Sequence, residues 1–547
     1  MEPDTAAAAH RSRWRVLANS RREGLHLRLA LLTIWLGIVA VLSYGHVPWR
    51  DEVRALSIAQ DAHGLAGLFE GLRYEGHPIL WHLLLAIAYN VFHTPAVLKL
   101  VSVAVAFTGA AVFLFCAPFP LWFRAMFLFS GLPLYEYSVM ARNYGISMLL
   151  LFAFGAVYCG KRRNPFVLGA ILFLLANTNA HSALLTCLLL PVLIAGASRS
   201  RAARGETQAP KRLSPGGCAL AVGFAMAGVL LCAATVGRSR DENMVGGQRP
   251  VSRVVPVLLN AVADVGGRFQ TITGMDSLST GIKRLSRGAA IRPGIQVLMS
   301  AFAYMLLLAS IAGLLRRPFL ALIAVAALWG MAGFFALIYP GVYRHQGLWL
   351  VFVLTLYWLA ATEISRQESW WAGRLHRVSF RIALPALFLL NILMGAYKIT
   401  VDIRSPYSSS RDFAAVLSAH EELQSATVIG EPEFMVDALP YYIRNRIYLQ
   451  RSARFGKVFV WLRHQKLHMS LSEILDAAHR VRQETARPVV LLMQPRLDRP
   501  IPDLQYNYGF SFSCDQPELD EFHAATRQIA ALHRASSDEN YDVYVLN

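Results

Sequence analysis

The sequence is poor in charged residues. Asp, Glu, Lys and Arg make up 16% of its 547 residues, whereas soluble domains usually contain about a quarter. Hydrophobic residues reach 55%. These figures exclude a disordered or collagen-like chain and argue against an ordinary soluble enzyme. They are typical of a protein that crosses a membrane many times, provided that its apolar residues form runs long enough to span a bilayer.

Several familiar chemical motifs are absent as well. The six cysteines include no CxxC pair, so the sequence predicts no cysteine-based zinc or redox site. No P-loop, GxGxxG, HExxH or EF-hand pattern occurs, and an ATPase or a dinucleotide-dependent enzyme therefore has no support.

What the chain does contain is apolar runs of bilayer-spanning length. The first, at 28–45, follows a basic segment at 1–27 and lacks a small-residue cleavage site, which favours a signal anchor over a removed signal peptide. Eleven more candidate spans lie near 78–93, 97–118, 121–138, 143–160, 165–180, 181–197, 217–236, 294–315, 318–339, 346–362 and 381–397.

The net charge of +18 is concentrated partly in short loops between these runs. We interpret this pattern as the positive-inside signal of a membrane protein and not as a nucleic-acid footprint. Basic loops at 161–163, 198–213, 316–317 and 365–381 are then cytoplasmic, as is the N-terminus, and the segment after 397 lies outside. That orientation requires an odd number of spans, whereas twelve runs are visible, so we predict 11–13.

Three segments are then predicted to lie outside the membrane: loop 46–77, loop 237–292 and the tail 398–547. The tail has strand-like bursts at 426–429, 446–449, 488–493 and 541–546, with helical patterns between them, for example at 470–483. The sequence therefore predicts an all-α polytopic membrane domain at 28–397, followed by an extracytoplasmic α/β domain at 398–547.

The loop at 46–77 carries the strongest chemical signal. Asp51 and Glu52 directly follow the first span, and Arg54 lies within the same helical turn. A carboxylate in this position can deprotonate an acceptor hydroxyl, and a nearby arginine can hold a phosphate. The alternative is structural: Asp51 and Glu52 cap a helix and favour its positive N-terminal dipole.

The order of the polar segments resembles the GT-C superfamily of polyprenol-dependent membrane glycosyltransferases. The closest group contains the aminoarabinose transferases, protein O-mannosyltransferases and rhizobial galacturonosyltransferase-like proteins. The resemblance rests on the loop just described and on segments that are clear over about 28–185 and thin beyond. These segments are Gly76-His77-Pro78, Tyr135-Glu136-Tyr137, Ala141-Arg142-Asn143-Tyr144, Asn179-Ala180-His181 and Tyr343-Arg344-His345.

The resemblance implies an inverting transfer in which Asp51, with Glu52 beside it, is the candidate base. It implies substrate-binding roles for Arg54, Tyr74, His77, Arg142, Tyr144, His181 and Arg344. His77 stands where aminoarabinose transferases have a phosphate-binding lysine, and a neutral imidazole is a weaker partner for phosphate. For the arginines the alternative is snorkelling to lipid headgroups, for Tyr144 an interfacial belt, and for His181 a polar turn.

The resemblance predicts no metal cofactor. The alternative is a divalent ion held by acidic side chains from several loops, namely Asp51, Glu52, Glu136 and Asp241.

We therefore expect a glycosyltransferase of a bacterial inner membrane, with the N-terminus cytoplasmic. Its expected partners are a polyprenyl-phosphate-linked sugar donor and a lipid, glycan or protein acceptor, and no nucleic acid. Two other classes remain open. A transporter or flippase of a lipid-linked sugar would favour matched internal repeats, which the sequence lacks. A non-catalytic envelope-assembly partner would use the tail as a docking module.

The charge pattern yields a prediction about topology. A reporter that is active only outside the inner membrane should be active when it is fused after Asn547 and silent when it is fused at Arg204, since basic loops remain in the cytoplasm. Activity of the Arg204 fusion would reverse the predicted orientation.

Overall fold

The computed structural model describes residues 24–160, 163–198, 213–236, 251–276, 278–279, 293–362, 370–460, 465–506 and 509–547. Most of segment 1–27 and much of loop 237–292, including Asp241, lie outside this part of the chain. The chain forms two compact units. Unit 1 comprises Met1–Ser43, Ser102–Ala234 and Arg249–Lys398, and unit 2 comprises Tyr44–Val101, Thr235–Gln248 and Ile399–Asn547.

Regular structure before the tail is helical, and each of the twelve predicted apolar runs contains a helix. The α-helices there are Leu25–Gly45, Arg50–Asp61, Gly64–Gly71, Leu80–Phe92, Val97–Cys116, Leu121–Leu128, Tyr144–Cys159, Pro165–Ala176, Ala180–Ser198, Pro215–Val236, Val251–Ala263, Val265–Arg268, Pro293–Ala312, Pro318–Leu337, Tyr343–Thr362, Trp370–Val378 and Leu384–Arg404. Most of the long helices are apolar on every face, as helices surrounded by lipid or by other helices are.

Six helices among the described residues are long and apolar enough to cross a membrane. They are Leu25–Gly45, Val97–Cys116, Pro215–Val236, Pro293–Arg316, Pro318–Leu337 and Trp370–Arg404. Five further apolar helices are shorter, between 10 and 17 residues. The chain is therefore mainly helical with a strand-containing C-terminal region, whereas the count of 11–13 spans stays a prediction.

Aromatic side chains fill much of the interior of unit 1. Phe113 stacks on Phe152 with ring centroids 4.5 Å apart, and Phe123 stacks on Phe380 at 4.3 Å. Trp358 is buried against both Phe113 and Phe152. Offset and tilted aromatic pairs of this kind add directional packing energy to the burial of apolar surface.

A contact between two glycines joins the last helix of unit 1 to an earlier turn. Gly131 precedes a π-helical turn, Leu132–Glu136, and Gly395 lies in helix Leu384–Arg404. A Cβ atom placed on Gly131 would lie 2.6 Å from the Cα of Gly395 and 2.9 Å from the carbonyl oxygen of Asn391. The backbones therefore approach more closely than any side chain would permit, as at small-residue contacts between membrane helices.

Unit 2 contains a four-stranded mixed sheet in the order β1-β5-β9-β8. Its strands are β1 (Thr427–Glu431), β5 (Val489–Met493), β9 (Tyr541–Leu546) and β8 (Thr526–Leu532). β1 and β5 are parallel, and the other two pairs are antiparallel. The smaller sheets are formed by β2 (Tyr448–Leu449) with β3 (Arg454–Phe455), and by β4 (His468–Ser470), β7 (Ser511–Cys514) and β6 (Ile501–Gln505).

The main sheet is covered on both faces. Val490 and Leu492 of β5 face a core completed by helix Ser410–Ala419 and the 3-10 segment Glu433–Tyr441. Val489, Leu491 and Met493 face the opposite core, which includes side chains from helices Leu471–Thr485 and Gln516–Ala525. Burial on both faces explains why the strand at 488–493 is apolar throughout and does not alternate.

The glycine contact yields a stability prediction. Gly131→Ala should destabilise the protein by roughly 1–3 kcal/mol, because the added methyl group meets backbone that has no side chain to move aside. Gly223→Ala is the matched control, since a Cβ atom on Gly223 of helix Pro215–Val236 meets nothing within 4 Å. Unfolding midpoints of the purified full-length variants in detergent would measure both effects. Equal midpoints for the two variants would contradict the close approach.

Candidate functional site

The predicted site residues are divided between the two units. Unit 2 contains Asp51, Glu52, Arg54, Tyr74 and His77, and unit 1 contains Arg142, Tyr144, His181 and Arg344. Each group is described within its own unit.

The first group lies on and after helix Arg50–Asp61, which we call the first-loop helix. Glu52 is fully buried, and its Oε2 accepts a hydrogen bond from the backbone N–H of Trp49 at 3.1 Å. A glutamate that reaches back from the third helical position to the N-cap backbone is one half of a capping box. Glu52 therefore has the structural role that the capping alternative assigned to it.

Glu52 also contacts His46, which lies between two carboxylates. The Nε2 of His46 lies 3.0 Å from Glu52 Oε2, and its Nδ1 lies 2.8 Å from Asp402 Oδ2. Burial alone would lower the pKa of His46, but the charge of Glu52 and the hydrogen bonds from both carboxylates outweigh it and raise the pKa to about 9. At neutral pH His46 is thus a buried cation held between two acids.

Arg54 occupies a similar buried ion-pair network. Its Nε donates to Glu75, and its Nη1 donates to Asp437 Oδ2 at 2.8 Å and to the carbonyl oxygen of Phe459 at 2.6 Å. Burial raises the pKa of Asp437 to about 6 although Arg54 opposes it, whereas at Glu75 the charge of Arg54 overrides burial and lowers the pKa. The partners of Arg54 therefore include two carboxylates, and they link the first-loop helix to residues of the tail.

Arg50 makes a second link of this kind. Its guanidinium donates to both oxygens of Asp538, at 2.6 and 2.9 Å, and its backbone N–H donates to Glu539 Oε1 at 2.8 Å. Such a bidentate pair fixes orientation as well as position. The first loop therefore folds as part of the tail unit, which its place between two spans in the sequence did not predict.

The remaining predicted residues of unit 2 are more accessible. Asp51 is half-buried, in contrast to Glu52. The side chain of His77 is 33% exposed, and its Nδ1 lies 2.9 Å from the carbonyl oxygen of Glu75. Tyr74 lies in the 3-10 turn Leu72–Tyr74, and its side chain is outside the described part of the chain.

In unit 1 the four predicted residues come together. The guanidinium of Arg142 lies 5.9 Å from the ring centroid of Tyr144, whose ring is 5.3 Å from that of His345. His345 in turn stacks on His181 at 5.1 Å. The peptide oxygen of Arg344 accepts a hydrogen bond of 2.7 Å from the hydroxyl of Tyr137, which stacks on Tyr144. Segments some 200 residues apart in the chain thus form one cluster.

A buried carboxylate anchors the charged end of this cluster. Glu136 is 2% exposed, and its Oε1 accepts a hydrogen bond from Lys398. Its Oε2 lies 3.9 Å from Arg344 Nη1. We call Glu136, Arg142, Tyr144, His181, Arg344, His345 and Lys398 the cationic cluster. Three side chains that are charged at every physiological pH, Arg142, Arg344 and Lys398, stand against one acid, which leaves an excess of two positive charges.

Several residues of these networks had no motif in the sequence. His46, Glu75 and Asp437 become partners only when the tail folds onto the first loop, at separations of up to 383 residues. Lys398 is different: it is the only lysine in helix Leu384–Arg404, and an ionisable residue within an apolar run is a functional candidate by default.

Among the described residues, no group of three or more His, Cys, Asp or Glu side chains is arranged to hold a metal ion. Comparisons with protein-family models, with curated proteins and with solved structures found no match to this chain.

The His46 network yields a prediction about pH. Because its pKa is raised, His46 contributes stability that is complete below about pH 6.5 and is lost as the pH rises through 9. Burial also raises the pKa of Glu433 and of Glu539 to about 8, and their effect on stability is complete by that pH. Between pH 8 and 9.5 the fall in stability should therefore report mainly on His46.

We expect the wild type to lose on the order of 1 kcal/mol of unfolding free energy over that interval, and His46→Gln to lose much less. Chemical unfolding of both proteins at the two pH values would measure the difference. An equal loss in the variant would mean that His46 is not charged in the folded protein.

Proposed function

We propose that the protein is an inverting glycosyltransferase of GT-C type, with 11–13 transmembrane helices and an extracytoplasmic α/β tail. It would move a sugar from a polyprenyl-phosphate carrier to an acceptor hydroxyl on the outer face of a bacterial inner membrane. The proposal rests on the resemblance of its polar segments to that superfamily and on the composition of the cationic cluster.

The excess of positive charge in the cationic cluster is the observation that carries the proposal. A polyprenyl phosphosugar has one negative charge on its phosphodiester, and the departing polyprenyl phosphate approaches two once the anomeric C–O bond breaks. A fixed excess of two cations stabilises that product-like charge more strongly than the charge of the donor. Stronger binding of the transition state than of the ground state is the requirement for catalysis.

The proposed reaction is a single displacement. Asp51 accepts the proton of the acceptor hydroxyl as the oxygen forms a bond to the anomeric carbon. The bond between that carbon and the phosphate oxygen breaks, and its electron pair stays on polyprenyl phosphate. Arg142 and Arg344 bind the leaving phosphate, while Tyr144, His181 and His77 contact the donor. One base acting in one displacement gives inversion, unlike the double displacement of retaining enzymes.

The contacts in unit 2 favour Asp51 over Glu52 as the base. A general base must reach the proton that it removes, and Glu52 is buried beneath its capping and histidine contacts. We accordingly assign Glu52 and Arg54 to positioning: they hold the first-loop helix, and with it Asp51, against the tail. This assignment replaces the phosphate-binding role that the resemblance implies for Arg54, because two carboxylates already contact its guanidinium.

Removing the proposed base gives the direct test. Asp51→Asn should lower the rate of sugar transfer by about 10² to 10⁴ and leave donor binding unchanged, because general-base loss has that cost. Arg344→Ala should weaken donor binding together with the rate, since it removes a charge-assisted contact. Asp61→Asn is the matched control, an exposed acid at the other end of the same helix. It should transfer at the wild-type rate.

The assay is transfer of labelled sugar from polyprenyl phosphate to membrane acceptors, with donor binding measured separately. Wild-type transfer by Asp51→Asn would place the base elsewhere, and Glu52→Gln would be measured next. If the wild type releases no sugar but moves the carrier between leaflets, the protein is a transporter and the proposal fails.

A further inference from the structure

Unit 1 contains a cavity that the proposed reaction leaves without a role. It has a volume of about 690 Å³ and lies between the segment from Ala263 to Gln270 and helix Pro293–Ala312. Cavities that bind small ligands occupy roughly 300–1,000 Å³. Its polar lining consists of Asp264, Gln270, Ser279, Gln296, Ser300 and Tyr304.

This lining favours hydroxyl groups over phosphate. The carboxylate of Asp264 is exposed, and its Oδ1 accepts hydrogen bonds from Ser300 Oγ at 2.7 Å and from the N–H of Gly267 at 3.1 Å. A carboxylate accepts hydrogen bonds from ligand hydroxyls but repels an anion. The described lining residues include no lysine, arginine or histidine, in contrast to the cationic cluster.

Apolar side chains surround the same cavity. Val297 lines it and is 67% exposed, and its neighbour Leu298 is 70% exposed. On helix Val251–Ala263, which ends at the cavity, Val255 and Leu259 are 62% and 67% exposed. Exposed apolar surface around a polar concavity fits a ligand that combines a hydroxylated head with a hydrocarbon chain.

The wall of the cavity is bonded to the helix that presents Arg344. Gln270 lines the cavity, and the next residue, Thr271, donates to Gln346 Oε1 at 2.6 Å. The N–H of Ile272 donates to the same oxygen at 3.0 Å. Gln346 follows directly on Arg344 and His345, so the cavity and the cationic cluster share one supporting helix.

We propose that this cavity, named here the Asp264 cavity, binds the sugar headgroup of a membrane glycolipid that serves as the acceptor. The inference rests on the proposed function and adds the class of acceptor. Asp264, Gln296 and Ser300 hold hydroxyl groups of the headgroup, and the hydrocarbon chain leaves beside Val297. Donor phosphate and acceptor hydroxyls are thereby separated by charge, with cations around the first and an acid beside the second.

Two short amphiphiles with the same chain test the assignment on the full-length protein in nanodiscs. Hexyl β-D-glucoside represents the headgroup, hexyl phosphate represents the donor, and ligand-observed NMR measures both dissociation constants. Val297→Trp should weaken glucoside binding about tenfold or more, because an indole fills the mouth of the cavity. Leu298→Trp is the matched control: it is equally exposed on the same helix, does not line the cavity, and should bind as the wild type does.

Asp264→Asn should weaken glucoside binding roughly threefold to tenfold, since it removes a charged acceptor, and should not weaken binding of hexyl phosphate. Equal glucoside affinities of Val297→Trp and Leu298→Trp would overturn the assignment. Loss of hexyl phosphate binding in Val297→Trp would overturn it too, because the cavity would then be a phosphate site. Sugar transfer by the wild type, measured in the same preparations, separates these results from failure of the proposed function.

Discussion

The close approach of Gly131 and Gly395 is the contact on which the cationic cluster depends. Gly131 lies five residues before Glu136, and Gly395 lies three residues before Lys398. With two hydrogen atoms in place of two side chains, the backbones meet, and the acid and the base that follow them form a buried ion pair. Burying a charged pair is costly unless its geometry is held closely. The glycine contact supplies that constraint without any polar group of its own, and it fixes the carboxylate beside which Arg344 lies.

The two units use arginine and carboxylate groups in opposite proportions. In unit 2, Arg54 faces Glu75 and Asp437, and Arg50 faces Asp538 and Glu539, so acids outnumber the arginines that contact them. Such networks fix the first-loop helix against the tail. In unit 1 the cationic cluster has three permanent cations and one acid, and the excess charge is suited to an anionic ligand. Balance of charge, more than the type of residue, therefore distinguishes structural arginines from candidate phosphate-binding ones.

Local patterns in the sequence predicted the elements well, and long-range partners much less. Apolar runs located the helices, and the bursts at 426–429, 488–493 and 541–546 coincide with strands β1, β5 and β9, because burial on both faces requires continuous apolar residues. The motifs containing Arg142, His181 and Arg344 were recognised separately, and they meet in the structure. Arg54 was assigned to phosphate since its partner Asp437 lies 383 residues away and no local signal announces that pair. Glu52 shows the same limit: capping and catalysis demand the same residue at the same place, and only its burial distinguishes them.

The central claim is that the cationic cluster binds the phosphate of a lipid-linked sugar. An electron cryomicroscopy map of the full-length protein in nanodiscs, with a non-transferable polyprenyl phosphonate sugar bound, would test it most directly. The account predicts phosphonate density within hydrogen-bonding distance of the guanidinium of Arg142 or Arg344, with Glu136 still paired to Lys398. Phosphonate density bound by other side chains, with the cationic cluster unchanged and empty of ligand, would contradict it.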